Sequence, residues 1–193
     1  MSHGFMVWSV DTMKLRQVPG SKDDKLRRMI GGRFKRDLAQ LDDLFDHDIA
    51  AGGPNTHEAL RQIVDGTIPA GARNGAIYRY AYKLIVEHFG TFLDNGPVYP
   101  WRGGTDDIDK ALADAGVPFR LATFHGLGLP NDLPYPDDSP MSGWVDEAAV
   151  LAARDALNQH PGKPPGLEDV YDCIAGWFRQ AAAKGRGLVS FYH

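Results

Sequence analysis

Residues 4–10 read GFMVWSV and residues 188–192 read LVSFY, and these two apolar stretches decide the fold. Both are rich in aromatic and β-branched side chains over the length of one β-strand. In most of the chain between them, the apolar residues have the spacing typical of helices instead. We therefore predict that the N- and C-terminal strands are neighbours in a small sheet against which the helices pack.

The helical stretches carry apolar residues three or four positions apart, the period of an amphipathic helix. A short one follows the first strand at residues 12–18. The longer ones cover residues 21–45, 56–66, 74–93, 105–116, 145–157 and 167–184. Gly31 and Gly32 interrupt the first of these, which predicts either a bend or a break into two helices.

A third strand is predicted at residues 119–124, FRLATF, where apolar and polar side chains alternate. Residues 126–140 follow as an irregular segment rich in proline and glycine, and its length favours a functional loop. Three or four strands with about six helices define an α+β fold with a mostly antiparallel sheet. We predict one domain over residues 1–193.

Composition limits the classes of function. The 25 acidic side chains outnumber the 21 basic ones, a net charge of -4 that disfavours nucleic acid and anionic membranes as partners. A single cysteine, Cys173, excludes an internal disulfide and a cysteine-rich zinc site. No apolar run reaches the roughly 20 residues of a membrane span, and residues 1–10 do not resemble a signal peptide. We expect a cytoplasmic protein.

Two stretches resemble a known but uncharacterised family. Residues 18–34, VPGSKDDKLRRMIGGRF, with LDDLFD at 41–46, and residues 174–193, IAGWFRQAAAKGRGLVSFYH, are similar to a bacterial domain of unknown function, common in actinomycetes and myxobacteria. Residues 142–157, SGWVDEAAVLAARDAL, resemble the C-terminal half of the YfbM-like family. Both resemblances imply an α+β fold, and the second implies a role in toxin-immunity or contact-inhibition systems.

The strongest candidate for catalysis is His125, which follows the predicted strand at the start of a glycine-rich loop; the alternative is a structural or merely exposed histidine. Asp137 and Asp138 on that loop could reach it, and a small hydrolase or transferase is the resulting hypothesis. Cys173 is either a nucleophile or a small buried side chain within an apolar helix. His88, on the apolar stripe of helix 74–93, is either a core histidine or a general base.

Metal binding has one candidate cluster. Asp43, Asp46 and His47 are three and four residues apart, so one helix face could present them to a divalent ion. The alternative is the solvated end of a charged helix. Dinucleotide and phosphate-loop motifs are missing from the sequence, and we expect no cofactor.

Aromatic side chains in loops favour a binding function. Trp101 and Trp144 lie among glycines, and Tyr135 lies in the long loop, so we predict that they contact a partner. The main expectation is a non-enzymatic protein that binds another protein, as an immunity-type inhibitor does.

Overall fold

The computed structural model describes residues 4–72, 74–96, 98, 105–126, 128–136, 140–160 and 162–192. Strands β1 (Phe5–Val10), β2 (Thr91–Leu93), β3 (Met141–Val145) and β4 (Gly187–Tyr192) form one antiparallel sheet in the order β2-β1-β4-β3. β1 pairs with β4 over its whole length, from Phe5 opposite Tyr192 to Val10 opposite Gly187. The predicted α+β class and the adjacent terminal strands are confirmed.

Helices occupy most of the chain between β1 and β4. They are α1 (Thr12–Arg16), α2 (Asp24–Arg33), α3 (Lys35–Leu44), α4 (Asp46–Ala50), α5 (Thr56–Asp65), α6 (Gly75–Phe89), α7 (Asp106–Asp114), α8 (Thr123–Gly126), α9 (Glu147–Gln159) and α10 (Glu168–Ala183). Within the described ranges, no helix has both the length and the apolar character needed to cross a membrane.

The chain forms two compact units. The sheet unit comprises Met1–Thr12, Gly90–Leu129 and Met141–His193, and the helical unit comprises Met13–Phe89 and Pro130–Pro140. The prediction of one domain over residues 1–193 stays a prediction.

The core of the sheet unit lies between the sheet and α10. Phe5 and Leu188 of the two central strands are fully buried, as is Phe178 of α10. The Phe119 ring packs edge-on against Phe178, with 4.9 Å between ring centroids, and against Phe124 at 5.1 Å. Residues 119–124 therefore contribute aromatic side chains to this core.

The helical unit is built around α5 and α6, which pack on each other and on α2 and α3. Buried tyrosines of α6 have partners for their hydroxyl groups. The Tyr78 hydroxyl donates to the Gln62 side chain at 2.5 Å. The Asn131 amide donates to the Tyr82 hydroxyl at 2.5 Å and to the Leu15 carbonyl at 3.1 Å, which fastens residues 130–136 to the helices.

The long helix predicted at 21–45 is broken, but not at the glycines. Gly31 and Gly32 lie inside α2, and the breaks fall at Phe34 and Phe45, each with φ of -107°. The buried residues Ile30, Phe34 and Leu38 are spaced by four, and a straight helix rotates each such residue about 40° further round its axis. A break at Phe34 offsets that drift and keeps all three side chains in the core.

The helix predicted at 74–93 ends early. α6 stops at Phe89, and residues Thr91–Leu93 form β2, with Leu93 opposite Val7 of β1. A short apolar run such as TFL fits either a helix or a strand, and the available edge of β1 decides the outcome.

The prediction of a strand at residues 119–124 is wrong. The Asp109 carboxylate accepts the backbone N–H groups of Leu121 and Ala122, and α8 begins at Thr123. Because the carboxylate takes these donors, the segment turns instead of pairing. A strand that the sequence did not predict, β3, lies at Met141–Val145 instead, where we expected a loop leading into a helix at residue 145.

Gly143 of β3 provides a test of how closely α8 packs on the sheet. A Cβ atom there would overlap the Thr123 carbonyl oxygen and the Phe124 Cα, both backbone atoms. We expect Gly143→Ala to lower the free energy of unfolding by about 2 kcal/mol or more, because the backbone must move apart. Thermal unfolding followed by circular dichroism measures this.

Gly176→Ala is the matched control. Gly176 lies inside α10, and outside the helix's own backbone no described residue comes within 4 Å of the Cβ position, so alanine should raise stability by about 1 kcal/mol. Equal stability of Gly143→Ala and the wild type would contradict the close packing of α8 on β3.

Candidate functional site

A cleft opens at the edge of the sheet unit beside Trp144, and we name it the Trp144 cleft. Its volume is about 430 Å³, within the range of sites that hold small ligands. The lining residues are Pro118, Phe119, Arg120, Thr123, Trp144, Val145, Asp146 and Ala149. They come from the segment that leads into α8 and its first residue, from β3, and from the N-cap and first turn of α9.

One wall of the cleft is held by a buried carboxylate. Asp109 is 5% exposed, and it accepts hydrogen bonds from the N–H groups of Leu121 and Ala122 and from the Thr105 hydroxyl at 3.2 Å. Hydrogen bonds to a charged acceptor are the stronger kind. They fix the backbone between Phe119 and Thr123.

The opposite wall is β3, which α8 packs against closely. The Ser190 hydroxyl of β4 donates to the Phe124 carbonyl at 3.1 Å, and the Gly128 N–H donates to the Ser142 carbonyl at 3.0 Å. The backbone of α8 and of Gly128 just after it is thus hydrogen-bonded to the sheet, and Gly143 lets α8 approach β3 closely.

The third side is the beginning of α9. The Asp146 carboxylate caps this helix by accepting the Ala149 N–H at 2.8 Å. The next residue, Glu147, accepts both the N–H and the hydroxyl of Thr12, at 2.7–2.9 Å. All three sides of the cleft therefore have fixed backbones, and the cleft is formed before any ligand binds.

The cleft offers apolar contact, the positive charge of Arg120 and the carboxylate of Asp146, which is engaged as the cap of α9. The Phe119 side chain is buried and the Trp144 side chain is half-buried, so aromatic surface faces the opening. The Arg120 side chain is 70% exposed, and its Nε lies 3.8 Å from the Asp109 carboxylate. The hydroxyl of the lining residue Thr123 donates to the Arg120 carbonyl at 2.6 Å. The arrangement suits binding of an apolar group beside an anion.

Trp144 was selected from the sequence as a candidate contact, but the prediction that it lies in a loop is wrong. It lies in strand β3, not in a loop, and its position in the cleft follows from that strand. Tyr135 lies in the helical unit, 59% exposed, with the Arg79 guanidinium 4.9 Å above its ring. Trp101 lies outside the described residues. The roles of all three in binding stay predictions.

Asp109, Phe119 and Arg120 were not selected from the sequence. Asp109 had one detectable signal, because it falls on the apolar stripe of α7 beside Ile108 and Leu112, where a carboxylate needs partners. Nothing in the sequence singled out Arg120, since its position depends on the turn that Asp109 holds.

The catalytic hypothesis stays a prediction. His125 lies in the single turn of α8 and not at the end of a strand, and its side chain is outside the described part of the chain. Asp137 and Asp138 also lie outside the described residues.

The candidate metal ligands lie on two helices. Asp43 belongs to α3, while Asp46 and His47 belong to α4, which begins after the break at Phe45. All three side chains are exposed, and the described residues contain no group of three or more potential ligands placed to hold an ion. The neighbouring Asp42 has a structural contact, since it accepts the Thr56 N–H at 2.7 Å.

Cys173 lies in α10 with its thiol partly buried. The thiol donates to the Asp94 carbonyl at 3.1 Å, and the Trp177 indole donates to the same oxygen at 2.6 Å. Burial raises the pKa of Cys173 to about 12, with the nearby Asp94 charge adding to the rise. Because the thiolate is the nucleophile, these surroundings favour the interpretation as a packed side chain.

We therefore expect Cys173 to react slowly with Ellman's reagent at about pH 8. The folded protein should be labelled at least about tenfold more slowly than the same protein in urea, since few molecules carry a thiolate. Absorbance of the released thiolate measures both rates. Labelling of the folded protein as fast as the unfolded one would restore the nucleophile hypothesis.

The comparisons with known proteins agree with the expected uncharacterised family. No curated protein and no solved structure matches the chain. A family model described as a domain of unknown function, DUF7691, matches residues 1–193. The chain therefore belongs to the DUF7691 family.

Proposed function

We propose that this protein is a non-enzymatic binding protein and that the Trp144 cleft holds a segment of a partner protein. The observation that carries the proposal is the cleft itself, an aromatic recess with an exposed arginine at its rim. Tryptophan and arginine are the residues most often found at the energetic centre of protein interfaces.

The fixed walls of the cleft support tight binding. A partner that enters a preformed site does not have to order loops, so less of the interaction free energy is lost on association. The carboxylates of Asp109, Asp146 and Glu147 all hold backbone N–H groups at the borders of the cleft. Binding energy can therefore come directly from the aromatic surface.

The charge at the rim defines the partner segment. Arg120 is the basic residue of the lining, and its guanidinium is exposed enough to reach a second carboxylate. We infer a segment that places one large apolar side chain in the cleft with an aspartate or glutamate next to it. Arginine binds such a carboxylate through two parallel hydrogen bonds.

The immunity role implied by the resemblance is a specific form of this proposal. It requires that the bound segment belong to an effector protein whose activity falls when this chain binds. The bacterial origin and the cytoplasmic location remain predictions from the sequence and the resemblance.

A displayed library of random peptides tests the proposal on the immobilised protein. We expect selected peptides to share a large apolar residue beside an acidic one, and their binding to change the fluorescence of Trp144. Arg120→Glu should weaken the selected peptides about tenfold or more, because it places like charges together. Selected peptides without an acidic residue would contradict the inferred chemistry.

Ala149→Phe provides a steric test of the same site. Ala149 lines the cleft, so a phenyl ring there should fill it and abolish peptide binding. Ala148→Phe is the matched control, since Ala148 is the exposed preceding residue of the same helix and is not part of the lining. If both variants bind the peptides as the wild type does, the Trp144 cleft is not the binding site.

A further inference from the structure

The helical unit contains a second cavity, and we name it the His88 cavity. Its volume is about 510 Å³. The lining residues are Lys14, Gln17, Val18, Ser21, Asp23, Lys25, Leu26, Met29, His88 and Phe89. They come from α1, the turn after it, the first part of α2 and the end of α6.

The charges around the cavity are mainly positive. Lys14 places its Nζ 4.5 Å from the centre of the Phe89 ring, and Lys25 is exposed at the start of α2. Arg33 lies beside the cavity and donates to the His88 carbonyl at 3.4 Å. The acidic member of the lining, Asp23, caps α2 by accepting the Leu26 N–H at 2.9 Å. The helix N-terminus therefore offsets part of its charge.

His88 adds a polar group that lacks a partner. Its Nδ1 atom is buried and has no hydrogen-bond partner among the described residues, and its ring packs edge-on against Phe89. Burial lowers the pKa of His88, and the positive charges of Arg33 and Lys14 lower it further. The imidazole is therefore neutral near pH 7, and a negative charge in the cavity would favour its protonation.

Part of the remaining lining is apolar and accessible from outside. Leu26 is half-buried and Met29 is 50% exposed. The turn between those helices is held elsewhere, because Gly20 and Lys22 donate their N–H groups to the Ile63 and Val64 carbonyls of α5, at 3.0 and 2.9 Å. These hydrogen bonds fix the position of the turn that borders the cavity.

We propose that the His88 cavity binds a small organic anion, a carboxylate or phosphate attached to an apolar body of about two fused rings. The apolar body contacts Leu26, Met29 and Phe89. The anionic group lies near Lys14 and Lys25. This inference does not depend on the Trp144 cleft.

Three naphthalene compounds of similar shape test the proposal: naphthoate, naphthyl phosphate and the neutral naphthylmethanol. Amide NMR spectra of the full chain, recorded during titration with each compound, report both affinity and location. We expect at least one anion to bind about tenfold or more tightly than the alcohol and to shift the signals of residues in α1, α2 and the end of α6. The stronger anion identifies the carboxylate or the phosphate class.

Substitutions in the lining test how charge and shape each contribute to the affinity for the anion. Lys14→Met and Lys25→Met should each weaken the preferred anion about fivefold to tenfold and leave the alcohol unchanged. Lys35→Met, an exposed lysine of α3 outside the lining, is the matched control. Met29→Glu should also weaken the anion, whereas Leu44→Glu, a similarly exposed position on α3, should not.

The titration of His88 gives a readout that does not rely on affinity. A bound anion stabilises the imidazolium, so the pKa of His88 should rise on binding and binding should tighten as the pH falls through that range. The histidine signal lost in His88→Gln identifies the resonance. Ala149→Phe should leave these results unchanged, because Ala149 is not part of the lining of the His88 cavity.

The proposal is wrong if none of the three compounds shifts signals around the cavity, or if the alcohol binds as tightly as the anions. It is also wrong if the lysine variants and their control lose affinity equally, or if the pKa of His88 does not move when the anion is bound.

Discussion

The pairing of β1 with β4 is the constraint on which the sheet unit depends. Residues from the two ends of the chain lie side by side in the centre of the sheet, and the edge strands β2 and β3 each attach to one of them. Closing so long a loop costs conformational entropy, although that cost grows only slowly with length. Burial of Phe5, Val7 and Leu188 against α10 offsets it.

Both proposed sites owe their shape to polar groups that satisfy backbone donors outside the regular elements. At the Trp144 cleft the group is the Asp109 carboxylate, and at the His88 cavity the groups are carbonyls at the end of α5. An N–H group that loses contact with water needs another acceptor, so each of these bonds favours one loop conformation. Loops held in this way border both recesses.

Much of the fold could be predicted because local composition or spacing already favours one structure. This holds for β1 and β4, which are apolar runs buried along nearly their whole length, and for α10, whose apolar stripe faces the core of the sheet unit. Prediction failed where a distant group decided the local structure. The Asp109 carboxylate turned residues 119–124 into a loop and a helical turn, and the free edge of β1 made residues 91–93 a strand. The same holds for the candidate site. A tryptophan among glycines, such as Trp144, can be selected from the sequence, whereas the position of Arg120 depends on the turn that Asp109 holds.

The central position of β4 has a consequence for how the protein is made. β4 follows every other element along the chain, so it leaves the ribosome after all of them, yet it lies between β1 and β3. Until it arrives, β1 can pair only with the three-residue β2, and β3 has no partner strand in the sheet. An apolar strand exposes an unpaired edge until β4 is synthesised, and an unpaired edge is the condition under which nascent chains associate wrongly. The sheet unit is thus completed in one late step, and this interval is when a chaperone would matter most.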